Sequence, residues 1–419
     1  MTSDRHSSVD ALRLGLVVHE FPVISETFVT TLAAGLLRSG QDLRILATNA
    51  DAAAPRQDIL DAYGLPEARI MRARYQGRLS LKRGLDLARR SPRHSPGYLG
   101  LMLADRISPA RLAVTRLMAD APDFDVVHAQ FGVLGLLAAR HRRWGTLRTR
   151  ALVVHLRGYD ITRHVEERGV RVYARLFREA DLFIANCRYF RDKAIALGCP
   201  ADKIIVIGSP IDTRAFSPPA NRRVSEGPTR LVAVGRLVEK KGFSDAVAAI
   251  GHLIREGHDV TLEILGDGPL RSALAAQISE AGLTDRVMLA GSADRGQVIE
   301  ALHRADIALT PSVRASSGDE DANVNTAKEA MATGLPVIGT HHGGIPELVI
   351  PGENGDLVPE RDPRALADAI AAMMGRRGDW ADLGTAGRRK VLEEFDQGHI
   401  VEETLLAYRR ALTIRRDRP

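Results

Sequence analysis

The sequence predicts an α/β protein built from two doubly wound parallel-sheet domains in tandem. Three observations predict it. Short apolar runs bounded by turn residues alternate with longer segments of helical period, the pattern of parallel strands covered by helices on both faces. A Pro-rich, polar stretch without periodicity, SPPANRRVSEGP, follows Phe216 and interrupts that alternation near the middle of the chain. At 419 residues, the chain also exceeds the size at which single cores stop growing, about 250 to 300 residues, so more than one core is expected.

In the first half, strands are expected over 12–18, 42–47, 126–129, 151–156, 182–185 and 204–207, with helices over 26–38, 133–142 and 188–197. A second series starts at Leu231, with strands over 231–234, 261–265, 287–290, 307–310 and 337–339. Within 244–258, Val247, Ile250, Leu253 and Ile254 fall on one helical face, Ser244 is placed as the cap, and Gly257 can close the helix. The expected domains are therefore 1–215 and 216–399, with a return onto the first domain as one course open to the helical, basic segment 400–419. A cleft between two such domains, at the carboxyl ends of their strands, is where a ligand is expected.

Composition narrows the classes. Hydrophobic residues at 45% and charged residues at 26% fit packed globular domains. No apolar run approaches the roughly 18 to 20 residues that span a bilayer, and the polar start MTSDRHSSVD is unlike a signal peptide, so a cytoplasmic protein is expected. Cys187 and Cys199 have neither disulfide-framework nor zinc-site spacing and read as buried thiols. The net charge of +6 says little about partners, but its distribution says more. Residues 69–93 carry nine Lys and Arg against the single acid Asp86, with leucines interleaved. Two readings of this segment stand: an interfacial stretch peripheral to an anionic membrane, and a solvated helix. It lacks aromatic interleaving, so nucleic acid is not an expected partner.

The strand at 231–234 runs into Gly235-Arg236-Leu237-Val238-Glu239-Lys240-Lys241-Gly242. Glycine allows backbone to approach a ligand, and Arg236 and Lys241 place two cations where a diphosphate can bridge them. Gly266 and Gly268 form a second strand-to-helix turn, which taken alone reports only a turn. The most informative stretch is 311–347, PSVRASSGDEDANVNTAKEAMATGLPVIGTHHGGIPE. A Ser-, Gly- and acid-rich loop leads to Asn323 as N-cap and to a short helix that contains Glu329 and closes at Gly334. The free N–H groups at that helix start favour phosphate, and a carboxylate at Glu329 can accept from both hydroxyls of a ribose.

The series GRLVEKKG, LGDGP, DANVNTAKEAMATGLPVI and GTHHGGIPELV, with FPVISETFV, VVHAQFG, HLRGYDI and KIIVIGSPIDTRAF in the first half, resembles retaining glycosyltransferase family four. Within it the chain is most similar to the exopolysaccharide branch. The resemblance spans nearly the whole chain and implies the GT-B fold, two Rossmann-like domains facing each other across a cleft. It implies that Arg236 and Lys241 bind the donor diphosphate and Glu329 the ribose. The backbone around Ala322, Asn323, Val324 and Asn325 would meet phosphates and sugar, beside Gly235, Gly266 and Gly268. No cofactor and no metal are implied. Ser25, Glu26 and His128 fall on the acceptor side, with N-capping the other role open to Ser25 and Glu26.

Two departures from the family pattern stand out. The earlier of its two glutamates is Asp321 here, one methylene shorter, and is expected to meet donor-sugar hydroxyls. The histidine that commonly precedes the glycine of HLRGYD is Arg157 here, with His155 two residues before it; either is open as the group facing the donor, and His155 is equally open as a core residue. Asp319-Glu320-Asp321 spells a metal-binding D-x-D, yet Arg236 and Lys241 already neutralise a diphosphate. The expected partners are a UDP- or GDP-type nucleotide-sugar donor and a glycan, lipid-linked or small-molecule acceptor. The rivals are a nucleotide-sugar epimerase or phosphorolytic enzyme of the same fold, and a catalytically silent nucleotide-sugar binder.

Overall fold

A computed structural model describes residues 11–23, 26–52, 56–74, 109–220, 227–321 and 324–416. Seven strands form the first sheet: β1 (Arg13–Val18), β2 (Asp42–Ala47), β3 (Ile70–Arg72), β4 (Phe124–Gln130), β5 (Thr149–Leu156), β6 (Leu182–Ala185) and β7 (Ile204–Val206). Their order is β3-β2-β1-β4-β5-β6-β7, and every pairing is parallel. Six form the second: β8 (Thr229–Val234), β9 (Val260–Leu265), β10 (Val287–Gly291), β11 (Ile307–Thr310), β12 (Val337–Thr340) and β13 (Gly355–Val358). Their order is β10-β9-β8-β11-β12-β13, again parallel.

The sheets are buried on both faces, which explains their nearly continuous apolar runs. Along β1, Leu14, Leu16 and Val18 pack into one core while Val17 packs into the core on the opposite face. In the second sheet, Leu231 and Ala233 face one core and Val232 the other. Strand order reverses between β1 and β4 and again between β8 and β11, and such reversals open crevices at the carboxyl ends of strands. The two crevices face each other.

The helix Gln397–Arg416 follows the second sheet but packs on the first lobe. Ile400, Val401, Ala407, Tyr408 and Ala411 join the core of β1. Gly35, in the helix Thr27–Arg38, leaves the room that the Val401 side chain fills. Two strands had no counterpart in the expected series. β3 is three residues long and lies in the basic segment, so residues 70–72 extend a sheet where a helix was one reading; residues 75–93 lie outside the described ones. β13 holds only two apolar residues, and its Gly355 lies so close to the Val337 carbonyl that a Cβ would overlap it. Among the described residues, no helix is long and apolar enough to cross a membrane.

Candidate active site in the interlobe cleft

A cleft of about 1240 Å³ lies between the lobes, walled by residues at the carboxyl ends of strands from both sheets. From the second lobe it gathers Gly235, Arg236 and Lys241 after β8, Gly266 after β9, and Asp321, Val324, Asn325 and Glu329 after β11. From the first lobe it gathers Glu26 and Arg157. Ser25, Ala322 and Asn323 lie outside the described residues.

The turn after β8 is made by close backbone approaches. A Cβ on Gly266 would overlap the Gly235 carbonyl, and one on Gly242, at φ 63°, would overlap the Pro311 carbonyl. Gly268 does not line the cleft: its missing Cβ makes room for the Leu237 backbone, so it supports the turn from behind. Gly242, not Ser244, is the N-cap of the helix Phe243–Arg255, and the Ser244 hydroxyl bonds Gln277 instead, at 2.9 Å.

Arg236 is exposed at the cleft and makes no side-chain hydrogen bond or ion pair among the described residues. Lys241 is engaged by Asp321 at 2.8 Å, and Lys240 approaches the same carboxylate at 3.3 Å. The Ser312 hydroxyl donates to Asp321 at 3.0 Å. Burial by itself would raise the Asp321 carboxyl; Lys241, Lys240 and these hydrogen bonds outweigh it and hold the group well below the usual carboxylate range. The Asp321 N–H donates to His342 Nε2 at 3.0 Å, which leaves Nδ1–H of His342 to meet Glu360 at 2.7 Å. Thus Asp321 reaches the cleft as an anchored, ionised group that already holds one of the two cations.

The helix Asn325–Ala332 starts from Val324 as N-cap, with no side-chain cap bond. Its first N–H groups are left at the cleft wall, where an anion would find donors and a helix dipole; the Asn325 Oδ1, an acceptor, is buried without a partner. Glu329, on the same helix, is buried, and burial pushes its carboxyl up to about 7 against the opposing pull of Lys328, Arg295 and Lys241.

Arg157 and His155 part ways because β5 ends at Leu156. Beyond the strand, alternation no longer holds, and Arg157 turns into the cleft while His155 remains in the sheet. Gln130 accepts two bonds from the Arg157 guanidinium at 2.7 and 3.0 Å, and Ser209 Oγ accepts a third at 2.9 Å. The Phe28 ring lies 4.4 Å from it. Burial lowers this guanidinium to about 9 even with Glu26 and Asp160 nearby. His155 Nδ1 accepts from Arg157 at 3.1 Å, and its Nε2 has no partner. His128 is not on the cleft either. It is buried, stacked on His155 at 5.5 Å, bonded through Nδ1 to the Tyr408 hydroxyl at 2.8 Å, and pushed down to about 3 by burial and Arg157. Both histidines therefore act as neutral supports beneath Arg157. Glu26 occupies the N-cap position of the helix Thr27–Arg38 without capping it; burial raises its carboxyl, while Arg157 and Arg236 oppose the rise.

The motifs left several participants unnamed. Lys328 is fully buried, donates to the Ser209 carbonyl at 3.0 Å and is lowered by burial to about 7. Ser209 therefore ties Arg157 of the first lobe to the helix of the second. The signal in the sequence was helical spacing: Asn325, Lys328, Glu329 and Ala332 share a face, and a lysine on an inward face must be paired.

Residues 25–210 match the family described as glycosyl transferase 4-like domain, and residues 228–376 match glycosyl transferases group 1. The chain is 32% identical over 405 residues to the amylovoran biosynthesis glycosyltransferase AmsK of Erwinia amylovora, covering 94% of this chain and 98% of that one. The fold is that of Anabaena HepE solved with UDP and glucose, at a TM-score of 0.72 and 19% identity over 94% of this chain and 98% of that one. It is also that of sucrose-phosphate synthase from Thermosynechococcus elongatus, at a TM-score of 0.74 and 20% identity over 96% and 99% of the two chains. Two Rossmann-like lobes facing across a cleft make the architecture GT-B.

Proposed function

The chain belongs to the group 1 glycosyl transferases, with a glycosyl transferase 4-like first lobe, and on that premise we propose that it moves a sugar from a nucleoside diphosphate donor to an acceptor hydroxyl in exopolysaccharide biosynthesis. One observation carries this reading: a single cleft collects Arg236, Lys241, Asp321, Glu329 and an uncapped helix start from the second lobe against Glu26 and Arg157 of the first. The second lobe holds the donor and the first receives the acceptor. The polysaccharide context rests on AmsK, similar along nearly the whole chain and named for amylovoran biosynthesis.

Transfer proceeds with retention at the anomeric carbon and without a metal ion. The acceptor oxygen bonds the anomeric carbon from the face that the diphosphate leaves. The bond from that carbon to the phosphate oxygen breaks, and the acceptor's proton passes to the departing phosphate. Negative charge grows on that oxygen, where Arg236, Lys241 and the start of Asn325–Ala332 stabilise it more than they stabilise the bound donor. Metal independence is supported by the lysines: Asp319 is held by Lys240, Glu320 by Lys193, and Asp321 by Lys240 and Lys241, so these carboxylates already have cations.

Incubation with a panel of UDP- and GDP-sugars and a glycan extract should release nucleoside diphosphate from one of them, unchanged by chelator. Lys241→Ala should lower kcat by about 10²- to 10³-fold. A donor that binds without any release would reduce the protein to a nucleotide-sugar binder, and a product of inverted configuration by NMR would remove retention. The basic segment 69–93 supports a further reading, contact with anionic lipid at the cytoplasmic face. Acidic liposomes should then pull the protein down at low salt and release it at high salt.

A further inference from the structure

The first-lobe wall of the cleft carries two aromatic side chains, Phe131 and Tyr159. Phe131, between β4 and the helix Gly132–Arg143, has φ 86°, a left-handed backbone that a residue with a bulky side chain rarely adopts. Tyr159 follows β5 and stays 42% exposed. Their ring centroids are 5.4 Å apart with planes inclined by 42°, and both rings line the cleft.

The loops that carry them are stapled together. Asp160, fully buried, accepts the Gly132 N–H at 2.7 Å from one loop. Its other oxygen accepts the Arg157 and Gly158 N–H groups, at 3.1 and 2.8 Å, from the other loop. The Tyr173 hydroxyl donates to the Asp160 carbonyl at 2.8 Å, and a Cβ on Gly132 would press into the Tyr173 ring. Phe131, strained and held this firmly with an exposed ring at its side, keeps both side chains fixed at the cleft wall.

We propose that Phe131 and Tyr159 form a platform on which a pyranose ring of the acceptor lays its C–H face. Aromatic faces carry negative charge density and the C–H groups of a sugar face carry the opposite sign, so the two attract where hydroxyls cannot be satisfied. Ring hydroxyls at the rim meet Arg163, His164 and Glu167, which line the same wall on the next helix. The diphosphate-binding groups stand on the other lobe, so the platform takes the acceptor and not the donor. This inference rests on the transfer reading above and names its acceptor class as a glycan.

Saturation-transfer NMR on the full chain tests it, with methyl α-glucopyranoside, methyl α-galactopyranoside and methyl α-mannopyranoside as probes and the acyclic polyol glucitol as control. Spectra are taken with and without UDP or GDP. At least one pyranoside should receive saturation through its ring C–H protons in wild type and glucitol should not. Tyr159→Ala should abolish the signal and Tyr159→Phe should keep it. Phe131→Gly, which removes the ring at a backbone conformation glycine accepts, should abolish it too. No pyranoside signal in wild type, equal signal from glucitol, or an unchanged signal in Tyr159→Ala overturns the platform. Failure of the transfer reading is seen separately, as absence of any nucleotide-sugar binding or turnover by wild type.

Discussion

At Glu329 a single buried carboxylate couples acidity to stability and, on the proposed function, to donor binding. Its folded value is about 7, above the 4.5 of an ordinary glutamate, so the folded state holds a proton that the unfolded chain has lost between those two values. Stability from this group is therefore intact below about pH 4.5, declines as pH rises to about 7, and stays diminished above, by on the order of 3 kcal/mol. Glu329→Gln should accordingly raise the thermal midpoint at pH 8 but hardly at pH 4.5. The same exchange should weaken binding of the nucleotide sugar about tenfold at pH 8, because the amide offers one acceptor where the carboxylate offers two. Wild-type affinity should fall between pH 8 and pH 6 while the variant's stays flat; calorimetric titrations with equal slopes for both would refute this. At this scale the sequence was informative about residue type and less so about direction. Arg157 and His155 were two open choices until the end of β5 separated them, and the role of His128 needed Tyr408, 280 residues away, to be seen.

Strands and helices were largely legible because parallel strands buried on both faces leave unbroken apolar runs. β2, β6 and β11 occupy the expected spans, β1 and β7 fall one residue short of theirs, and β4, β5, β8, β9, β10 and β12 extend theirs by one to three residues. β3 and β13 escaped notice since edge strands need little apolar side chain of their own, and the cap of Phe243–Arg255 was misplaced because Gly242 takes the position by its left-handed backbone. That glycine offers a test of how the turn after β8 is held. Gly242→Ala forces a Cβ against the Pro311 carbonyl, whereas Gly282→Ala, at a similar φ of 66°, meets nothing within 4 Å. The first should cost about 2 to 4 kcal/mol and the second about 1 kcal/mol in denaturant titrations. Only Gly242→Ala should also lose nucleotide binding, because Lys241 moves with the turn; matching losses in both would show that conformation, not contact, governs the turn.

Across the whole molecule, the lobes are joined by charge as well as by chain. The Glu347 carboxylate of the second lobe accepts the Arg188 and Tyr189 N–H groups at 2.9 and 2.8 Å, sealing the start of a first-lobe helix from across the gap. Beside it, Glu320 meets Lys193 and the Tyr189 hydroxyl, each at 2.7 Å. None of this was readable from spacing, since both partners lie far apart in sequence and each looks like an ordinary surface group. A carboxylate in this position is worth about 1 kcal/mol, enough to bias a two-lobe equilibrium without locking it. Glu347→Ala should therefore enlarge the radius of gyration of the unliganded protein in small-angle scattering, and nucleotide sugar should restore the compact value. An unchanged radius would mean that other contacts hold the lobes.

The Tyr408 hydroxyl that steadies His128 has a consequence for biosynthesis of the protein itself. A ribosome delivers the first sheet long before it reaches residue 408, so the nascent first lobe lacks the prop behind its arginine until the whole second lobe has emerged. Assembly order thus delays a finished first-lobe wall until the lobe that faces it across the cleft has also been made.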